Sequence, residues 1–137
     1  PGSASRYTGS NSTTSGAAFV VTGGEELGYS AAGGDVDGDG AVDLIVSDPS
    51  AYDSNYTTLG STYGWFGPVT GGTVSVADGK YGVHITNSTS EDSLSGEWID
   101  IGDANGDGIG DLAIGAPGDG STVNSEAWIF YGGDGSL

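Results

Sequence analysis

The sequence predicts an all-β fold made of two four-stranded antiparallel units. Beyond residue 16, the chain of 137 residues has no window with a sustained helical period. Short apolar runs instead alternate with clusters of Gly, Asp, Ser and Asn, which is typical of strands joined by turns. The segment that begins at Leu27 recurs at Ser95, so that Asp35 matches Asp103 at an offset of 68 residues. Each repeat therefore predicts one unit of the fold.

The elements follow in order from this repeat. Residues 1–16 are rich in Ser, Thr and Gly and predict a flexible leader. Residues 17–26 hold a displaced fourth strand, since AFVVTG matches the later GVHITN. Residues 27–87 and 88–137 are the two units, of which the second lacks its own fourth strand, so the repeat is circularly permuted. The predicted strands are 17–22; 28–33, 43–46, 63–66 and 82–86 in the first unit; and 96–101, 111–114 and 128–131 in the second.

The charge of the chain excludes several classes of partner. Nineteen acidic and two basic residues give a formal net charge of −17 at pH 7. Only Arg6 and Lys80 could contact phosphate, so we predict no nucleic-acid partner. No apolar run has the length of a membrane span, and an anionic membrane surface would repel the protein, so we predict no membrane insertion. The absence of cysteine excludes disulfides and thiolate chemistry.

Two nine-residue loops have the spacing of an oxygen-lined cation site. Both fit the pattern D-x-[DN]-x-D-G-x-x-D, at 35–43 and at 103–111. Side chains at loop positions 1, 3, 5 and 9 and the carbonyl at position 7 would converge on one ion, as Ca²⁺ with its six to eight oxygen ligands requires. Without a cation, so many carboxylates would repel one another. The predicted ligands are Asp35, Asp37, Asp39, the Ala41 carbonyl and Asp43, then Asp103, Asn105, Asp107, the Ile109 carbonyl and Asp111.

Other interpretations of these loops fit less well. An EF-hand requires a bidentate Glu at position 12 and flanking helices, whereas Val46 and Ile114 stand there within strand-like runs. Magnesium prefers few protein ligands and retained waters. Acidic surface turns without an ion remain an alternative, although they would have to produce the same spacing twice. Because Asn105 gives the second loop one negative charge fewer, we expect the weaker site there.

The residues after the loops resemble a known family. DLAIGAP at 111–117 and the aromatic strand WIFYG at 128–132 are similar to the FG-GAP repeat of integrin-α-type β-propellers. The first repeat departs from this pattern, with SDP at 47–49 in place of GAP and LGYS at 27–30 where FGxS is usual; LSGEW stands there in the second. The resemblance covers about residues 17–133. It implies that each repeat is a propeller blade whose loop between strands 1 and 2 binds Ca²⁺, two ions in all.

Two blades leave surfaces that need neighbours. Propellers close with about four to eight blades, and the apolar runs at 65–66 and 128–131 are typical of strands buried on both faces. The open edge at 128–131 and the unpaired strand at 17–22 predict that the N-terminal strand of one subunit completes the second blade of the next. Such a head-to-tail homo-oligomer is a ring if its rotation closes and a filament if it does not. The alternative is a segment of a longer propeller.

Other residues are candidates for ligand or glycan attachment. The insertion at 48–62 carries Tyr52 and Tyr56, whose rings suit stacking on a sugar or a protein; a solvated insertion without a ligand is the alternative. Glycosylation sequons stand at Asn11, Asn55 and Asn87.

Nothing in the chain predicts catalysis. His84 is the single histidine and is expected to be structural, and no nucleophile elbow, phosphate loop or His-based zinc pattern is present. We therefore predict a non-catalytic, extracellular or cell-surface Ca²⁺-binding propeller module that assembles with copies of itself in an adhesive or structural role. The alternatives are a carbohydrate- or protein-binding propeller fragment and an accessory module of a secreted hydrolase.

Overall fold

A computed structural model describes residues 17, 19–55, 57–87, 96–117, 125–133, 135 and 137. Within these residues the chain forms β-strands and one short 3₁₀ helix, which confirms the all-β prediction. Most predicted strands are found within three residues of their expected limits. The strands are β1 (Phe19–Thr22), β2 (Ala31–Gly34), β3 (Asp43–Asp48), β4 (Ser61–Trp65), β5 (Gly72–Ser75), β6 (Val83–Thr86), β7 (Trp98–Gly102), β8 (Asp111–Ala116) and β9 (Glu126–Phe130), with the 3₁₀ helix at Val76–Asp78.

The first repeat forms one antiparallel sheet of four strands in the order β2-β3-β4-β6. This is the predicted order of strands 1 to 4. Across the sheet, Ile45 on β3 pairs with Ala32 on β2 and with Gly64 on β4. Because side chains alternate along a strand, Ile45 faces one side of the sheet and its neighbours Leu44 and Val46 face the other.

The second repeat forms a separate antiparallel sheet in the order β7-β8-β9. Ile99, Ile114 and Trp128 stand in one register row across its three strands. Among the residues that the structure describes, no fourth strand pairs with β9.

The N-terminal strand pairs within its own chain. β1 lies parallel to β5, with Val20 opposite Thr73 and Val21 opposite Val74. The prediction that residues 17–22 have no partner in the chain is therefore wrong. The reason is β5, a strand that the sequence does not suggest, because its four residues GTVS include a single large apolar side chain.

One hydrophobic core lies between the two repeat sheets. Its fully buried members are Val36 and Ile45 from the first repeat and Leu112 and Ile114 from the second. Ile99, Ile101, Trp128 and Phe130 from the second sheet pack around them, with Ile85 from β6. The two repeats are thus stacked face to face.

A second core lies on the opposite face of the first sheet. Val46, Tyr63 and Trp65 are buried there, and Phe19, Val21, Val74 and Val76 of the β1–β5 pair pack against them. The Phe19 ring meets the Trp65 ring edge-on, with the centroids 6.4 Å apart. The first sheet is therefore covered on both faces, and all five residues of β4 are buried.

The outer face of the second sheet is open among the described residues. Trp98 is 66% exposed and Ile129 is 57% exposed, while Trp128 and Phe130 face the core. The prediction of burial on both faces is confirmed for Trp65 on β4, but it is wrong for Phe66, which is 38% exposed, and for β9. The cause is tertiary: the β1–β5 pair covers the first sheet, and no described element covers the second in this way.

The first repeat has SDP at 47–49 where the second has GAP, and the structure gives a reason for this difference. Asp48 is fully buried, and its two carboxylate oxygens accept hydrogen bonds from the Glu25 and Glu26 N–H groups, each 2.9 Å long. These bonds fix the turn between β1 and β2. The matching residue of the second repeat is Ala116, whose side chain has no carboxylate to accept such bonds.

Candidate metal centre

The two aspartate loops connect adjacent antiparallel strands. Loop A (residues 35–43) joins β2 to β3, and loop B (residues 103–111) joins β7 to β8. Each closes at a register pair, Gly34 with Asp43 in loop A and Gly102 with Asp111 in loop B. No helix flanks either loop, which confirms that they are not EF-hands.

Loop A is held by hydrogen bonds from its own backbone to its carboxylates. Asp35 Oδ1 accepts from the Gly38 N–H over 2.8 Å and Asp35 Oδ2 from the Gly40 N–H over 2.9 Å. Asp37 accepts from the Asp39 N–H over 3.0 Å, and Asp39 from the Ala41 N–H over 2.7 Å. The turn therefore aims its first three aspartates inward.

Loop B repeats this pattern position by position. Asp103 accepts from the Gly106 and Gly108 N–H groups over 2.6 and 3.0 Å. Asn105 Oδ1 accepts from the Asp107 N–H over 2.9 Å, and Asp107 from the Ile109 N–H over 2.8 Å. The shared sequence spacing thus produces one shared structure.

Glycine at loop positions 4 and 6 makes this turn possible. Gly38 and Gly40 have φ angles of 82° and 86°, and Gly106 and Gly108 have φ angles of 84° and 90°. Side chains other than glycine rarely adopt this left-handed region. The two glycines let three successive odd-numbered positions face the same point.

Three carboxylates of loop A form a cluster that fits a hard cation. One oxygen each from Asp35, Asp37 and Asp39 lie within 4.8 Å of one another. Asp37 and Asp39 are exposed to solvent and Asp35 is half-buried, so an ion could reach them. A carboxylate oxygen that accepts one hydrogen bond keeps lone-pair capacity for a metal. The donor set is therefore the all-oxygen type that Ca²⁺ prefers.

Asn105 changes the electrostatics of loop B. Its amide donates to Asp107 Oδ2 over 2.9 Å, so a neutral donor stands where loop A has a third carboxylate. Asp103 and Asp107 occupy loop positions 1 and 5. Asp103 lines a cavity of about 250 Å³ together with Asp100 and Asp111.

The aspartate at position 9 lies beneath each loop. Asp43 is 1% exposed and accepts from the Val36 N–H over 2.7 Å and from the Gly67 N–H over 2.6 Å. Asp111 is 2% exposed and accepts from the Ala104 N–H over 2.8 Å and the Gly132 N–H over 3.1 Å.

Both position-9 carboxylates thus fasten their loop to the end of the third strand of the same sheet. This anchoring role is one that sequence reasoning missed. The only signal for it is the glycine that follows WF in the first repeat and FY in the second, at Gly67 and Gly132. Whether Asp43 and Asp111 also bind metal stays a prediction.

The other candidate residues that the structure describes lie away from the loops. Tyr52 is 48% exposed, and a hydrogen bond to Glu25 raises the pKa of its hydroxyl. Asn55 is exposed in a turn, where its N–H donates to Asp53, and Asn87 is half-buried after β6. Tyr56 and Asn11, and with them the predicted leader, lie outside the described residues. The structure therefore does not bring Tyr52, Asn55 or Asn87 to the metal loops.

His84 belongs to an aromatic cluster. Its ring stacks on Tyr63 with the centroids 4.8 Å apart and the planes 7° from parallel, and Tyr81 lies 5.0 Å away. Its Nε2 lies 3.3 Å from the Ser61 hydroxyl. Partial burial lowers the pKa of the imidazole.

Comparison with known proteins agrees with this geometry. The model of the FG-GAP repeat family matches residues 95–130, which run from just before β7 to the end of β9. This segment is an FG-GAP repeat. Loop B, β8 and β9 are thus the parts of the repeat that its family model recognises, and loop A with β3 and β4 has the same structure in the first repeat.

A longer relative extends the similarity over most of the chain. Integrin alpha-PS2 of Drosophila melanogaster is 36% identical to this chain over an alignment 124 positions long, which covers 83% of this chain. The alignment covers only 8% of the integrin, so the chain spans a small part of the length of this relative. In the described part of the chain, no helix is long and apolar enough to cross a membrane.

Proposed function

We propose that the protein is a non-catalytic, extracellular FG-GAP module that binds two Ca²⁺ ions, one in each aspartate loop. The observation that carries this proposal is the doubled loop. Two segments 68 residues apart form the same turn, with the same hydrogen bonds from the backbone to position 1, 3 and 5 oxygens. A chance acidic turn gives no reason for that repetition.

The chain's own residues supply the chemistry of binding. In loop A, the carboxylates of Asp35, Asp37 and Asp39 would hold the ion, with the Ala41 carbonyl and Asp43 completing the oxygen shell. In loop B, Asp103, Asn105, Asp107, the Ile109 carbonyl and Asp111 would do the same. Bound Ca²⁺ would neutralise carboxylates that otherwise repel one another, and so would stiffen each turn. Modest affinity suits an extracellular module, for which dissociation constants of about 10⁻⁴–10⁻³ M are usual.

Titration calorimetry with Ca²⁺ tests this function. We expect two ions per chain for the wild type and one ion for either Asp39→Ala or Asp107→Ala. Asp53→Ala removes an acid outside both loops, from a turn in which Asp53 accepts two backbone N–H groups, and serves as the matched control with two ions. Binding of no ion by the wild type up to about 10 mM Ca²⁺, beyond the usual range of such modules, would overturn the proposal.

An adhesive setting outside the cell is supported by the relative. The similarity to an integrin alpha chain covers most of this chain, although the chain spans little of that protein. Detection of the native protein at the cell surface by antibody labelling of intact cells is the expected result. Labelling only after permeabilisation would contradict this part of the proposal.

Assembly with further blades is favoured by the outer face of the second sheet. Trp98, Ile129 and Tyr131 are exposed there, and the β9 edge has no partner among the described residues. We therefore propose a head-to-tail homo-oligomer that forms by strand donation. In it, β1 of one subunit leaves β5 and pairs with β9 of the next subunit. Light scattering tests it: multimers that Val21→Asp abolishes are expected, and a single-chain mass at all concentrations rules it out.

A ligand site at Tyr52 is a second candidate function. Tyr52 and Tyr63 line a cavity of about 200 Å³ together with Glu25 and Asp48. Aromatic rings beside carboxylates suit a sugar, whose faces stack on rings and whose hydroxyls donate to carboxylates. A glycan array probed with wild type and with Tyr52→Ala tests it, and equal patterns for both proteins would remove the candidate.

A further inference from the structure

The two loops touch each other, although they belong to different sheets. The Gly110 N–H donates to the Asp35 carbonyl over 2.7 Å, and the Gly133 N–H donates to the Val36 carbonyl over 3.0 Å. Asp35 is position 1 of loop A, and Gly110 is position 8 of loop B, between the proposed ligands Ile109 and Asp111. The loops are therefore in direct main-chain contact.

A continuous hydrogen-bonded path joins the two buried aspartates. Asp43 accepts from the Val36 N–H over 2.7 Å, and the carbonyl of Val36 accepts from Gly133. The adjoining Gly132 N–H donates to Asp111 over 3.1 Å. Val36 is fully buried and Asp111 is 2% exposed, so water has little access to these acceptors. A movement of either carboxylate is thus passed to residues that hold the other.

Side-chain packing reinforces this contact. A Cβ atom placed on Gly38 would lie 3.1 Å from Ile109 Cδ1, and one placed on Gly133 would lie 2.6 Å from the same atom. The Ile109 side chain therefore lies against the turn of loop A while its carbonyl is a proposed ligand of loop B. Any shift of Ile109 during binding in loop B presses on or releases the turn of loop A.

We propose that the two loops bind Ca²⁺ with positive coupling, transmitted through Gly110–Asp35, Gly133–Val36 and the Ile109 side chain. This inference rests on the proposed function, since it concerns the same two sites. Binding of an ion in one loop orders that loop, and the ordered loop holds its neighbour in the binding conformation. The second ion therefore binds to a loop whose conformational entropy is already reduced. By thermodynamic linkage the effect is reciprocal: each loop strengthens the other by the same factor.

Electrostatics acts in the opposite direction. An ion in one loop reduces the negative potential that attracts an ion to the other. Salt screens this effect at exposed carboxylates, with a Debye length of about 8 Å at physiological ionic strength, whereas backbone hydrogen bonds and packing are not screened in this way. The coupling is therefore to be measured at about 0.15 M salt.

Calcium titration followed by amide NMR of the intact chain separates the sites. Gly38 and Gly40 report loop A, and Gly106 and Gly108 report loop B. In Asp103→Asn/Asp107→Asn, which disables loop B with side chains of the same size, we expect the loop A midpoint to rise at least about fivefold, the lower end of usual coupling strengths. Asp35→Asn/Asp39→Asn is expected to weaken loop B by the same factor.

A second pair of variants tests the route. Ile109→Ala keeps the loop B carbonyl but removes the packing on Gly38, and it is expected to raise the loop A midpoint in a chain that still binds at both loops. Val42→Ala truncates a 65% exposed side chain at position 8 of loop A, away from loop B, and is the matched control with an unchanged midpoint. Hydrogen exchange of the Gly110 amide adds a readout besides affinity: calcium in loop A is expected to slow it.

These experiments distinguish a failure of the proposed coupling from a failure of the proposed function. If the glycines of both loops titrate but each midpoint is unaffected by loss of the other site, the loops are independent and the coupling is wrong while the function stands. A lower loop A midpoint after loss of loop B also overturns positive coupling. If no loop glycine responds to Ca²⁺ up to about 10 mM, the function and the coupling fail together.

Discussion

The two repeat sheets begin from matching sequence and end in different environments. The first is packed on one face against the second sheet and on the other against the β1–β5 pair. The second is packed on one face only, and it exposes Trp98 and Ile129 on the other. Their loops, in contrast, are built alike. Local sequence therefore determines the loops, whereas burial of the strands depends on which distant elements pack against them.

Truncation of one isoleucine in each repeat sheet is the most sensitive probe of this difference. Ile45 is fully buried between the sheets, so Ile45→Ala should cost about 4 kcal/mol of unfolding free energy, through lost burial and a residual cavity. Ile129 is 57% exposed, and Ile129→Ala should change stability by less than about 0.5 kcal/mol. Urea unfolding measures both. Equal losses would mean that the outer face of the second sheet is covered in solution.

A second comparison sets the buried anchor Asp43 of loop A against Asp37, an exposed proposed ligand of the same loop. Asp43→Ala leaves the buried N–H groups of Val36 and Gly67 without an acceptor and should cost about 3 kcal/mol even without calcium. Asp37→Ala removes an exposed carboxylate and should cost far less in chelator, because it also relieves repulsion. The comparison is made by unfolding in excess chelator. A similar small loss for both variants would show that Asp43 acts only through a metal.

Substitution of Asp48 measures how much stability the first repeat gains from having SDP in place of GAP. Asp48→Ala should cost about 2 kcal/mol, because the N–H groups of Glu25 and Glu26 lose their acceptor in a partly exposed turn that water can enter. Hydrogen exchange should also show faster exchange in β1 but not in β8. Unchanged exchange in β1 would mean that pairing with β5 alone holds the N-terminal strand.

The smallest expected effect is a pH dependence at His84, which has no counterpart in the second repeat. Burial against Tyr63 lowers its pKa in the folded state below the ordinary value of about 6.5. The unfolded chain therefore binds this proton more readily, and the contribution of His84 to stability is complete above the unfolded pKa and is lost as the pH falls through the folded pKa. NMR titration of the ring should give a pKa below that of a histidine peptide. A higher value would contradict the stacked geometry.

Much of this architecture is predictable because its signals are local. The spacing of Asp and Gly in loops A and B is contained in nine residues, and the repeat specifies β2, β3, β4 and β6 in order. Pairing of β1 with β5 is not predictable in that way, because it depends on the short segment GTVS, which has a single large apolar side chain and lies far away in the sequence. The anchoring roles of Asp43, Asp48 and Asp111 are hidden for a related reason: in sequence a buried aspartate that caps backbone N–H groups looks like a turn residue.

The measurement that tests the central claim most directly is a crystal structure of the protein grown with Ca²⁺, with an anomalous difference map. The account predicts one peak in each loop, at about 2.3–2.6 Å from the oxygens of Asp35, Asp37 and Asp39 in loop A and of Asp103, Asn105 and Asp107 in loop B. Loops that are ordered and free of anomalous density, or peaks only at other carboxylates, would contradict it.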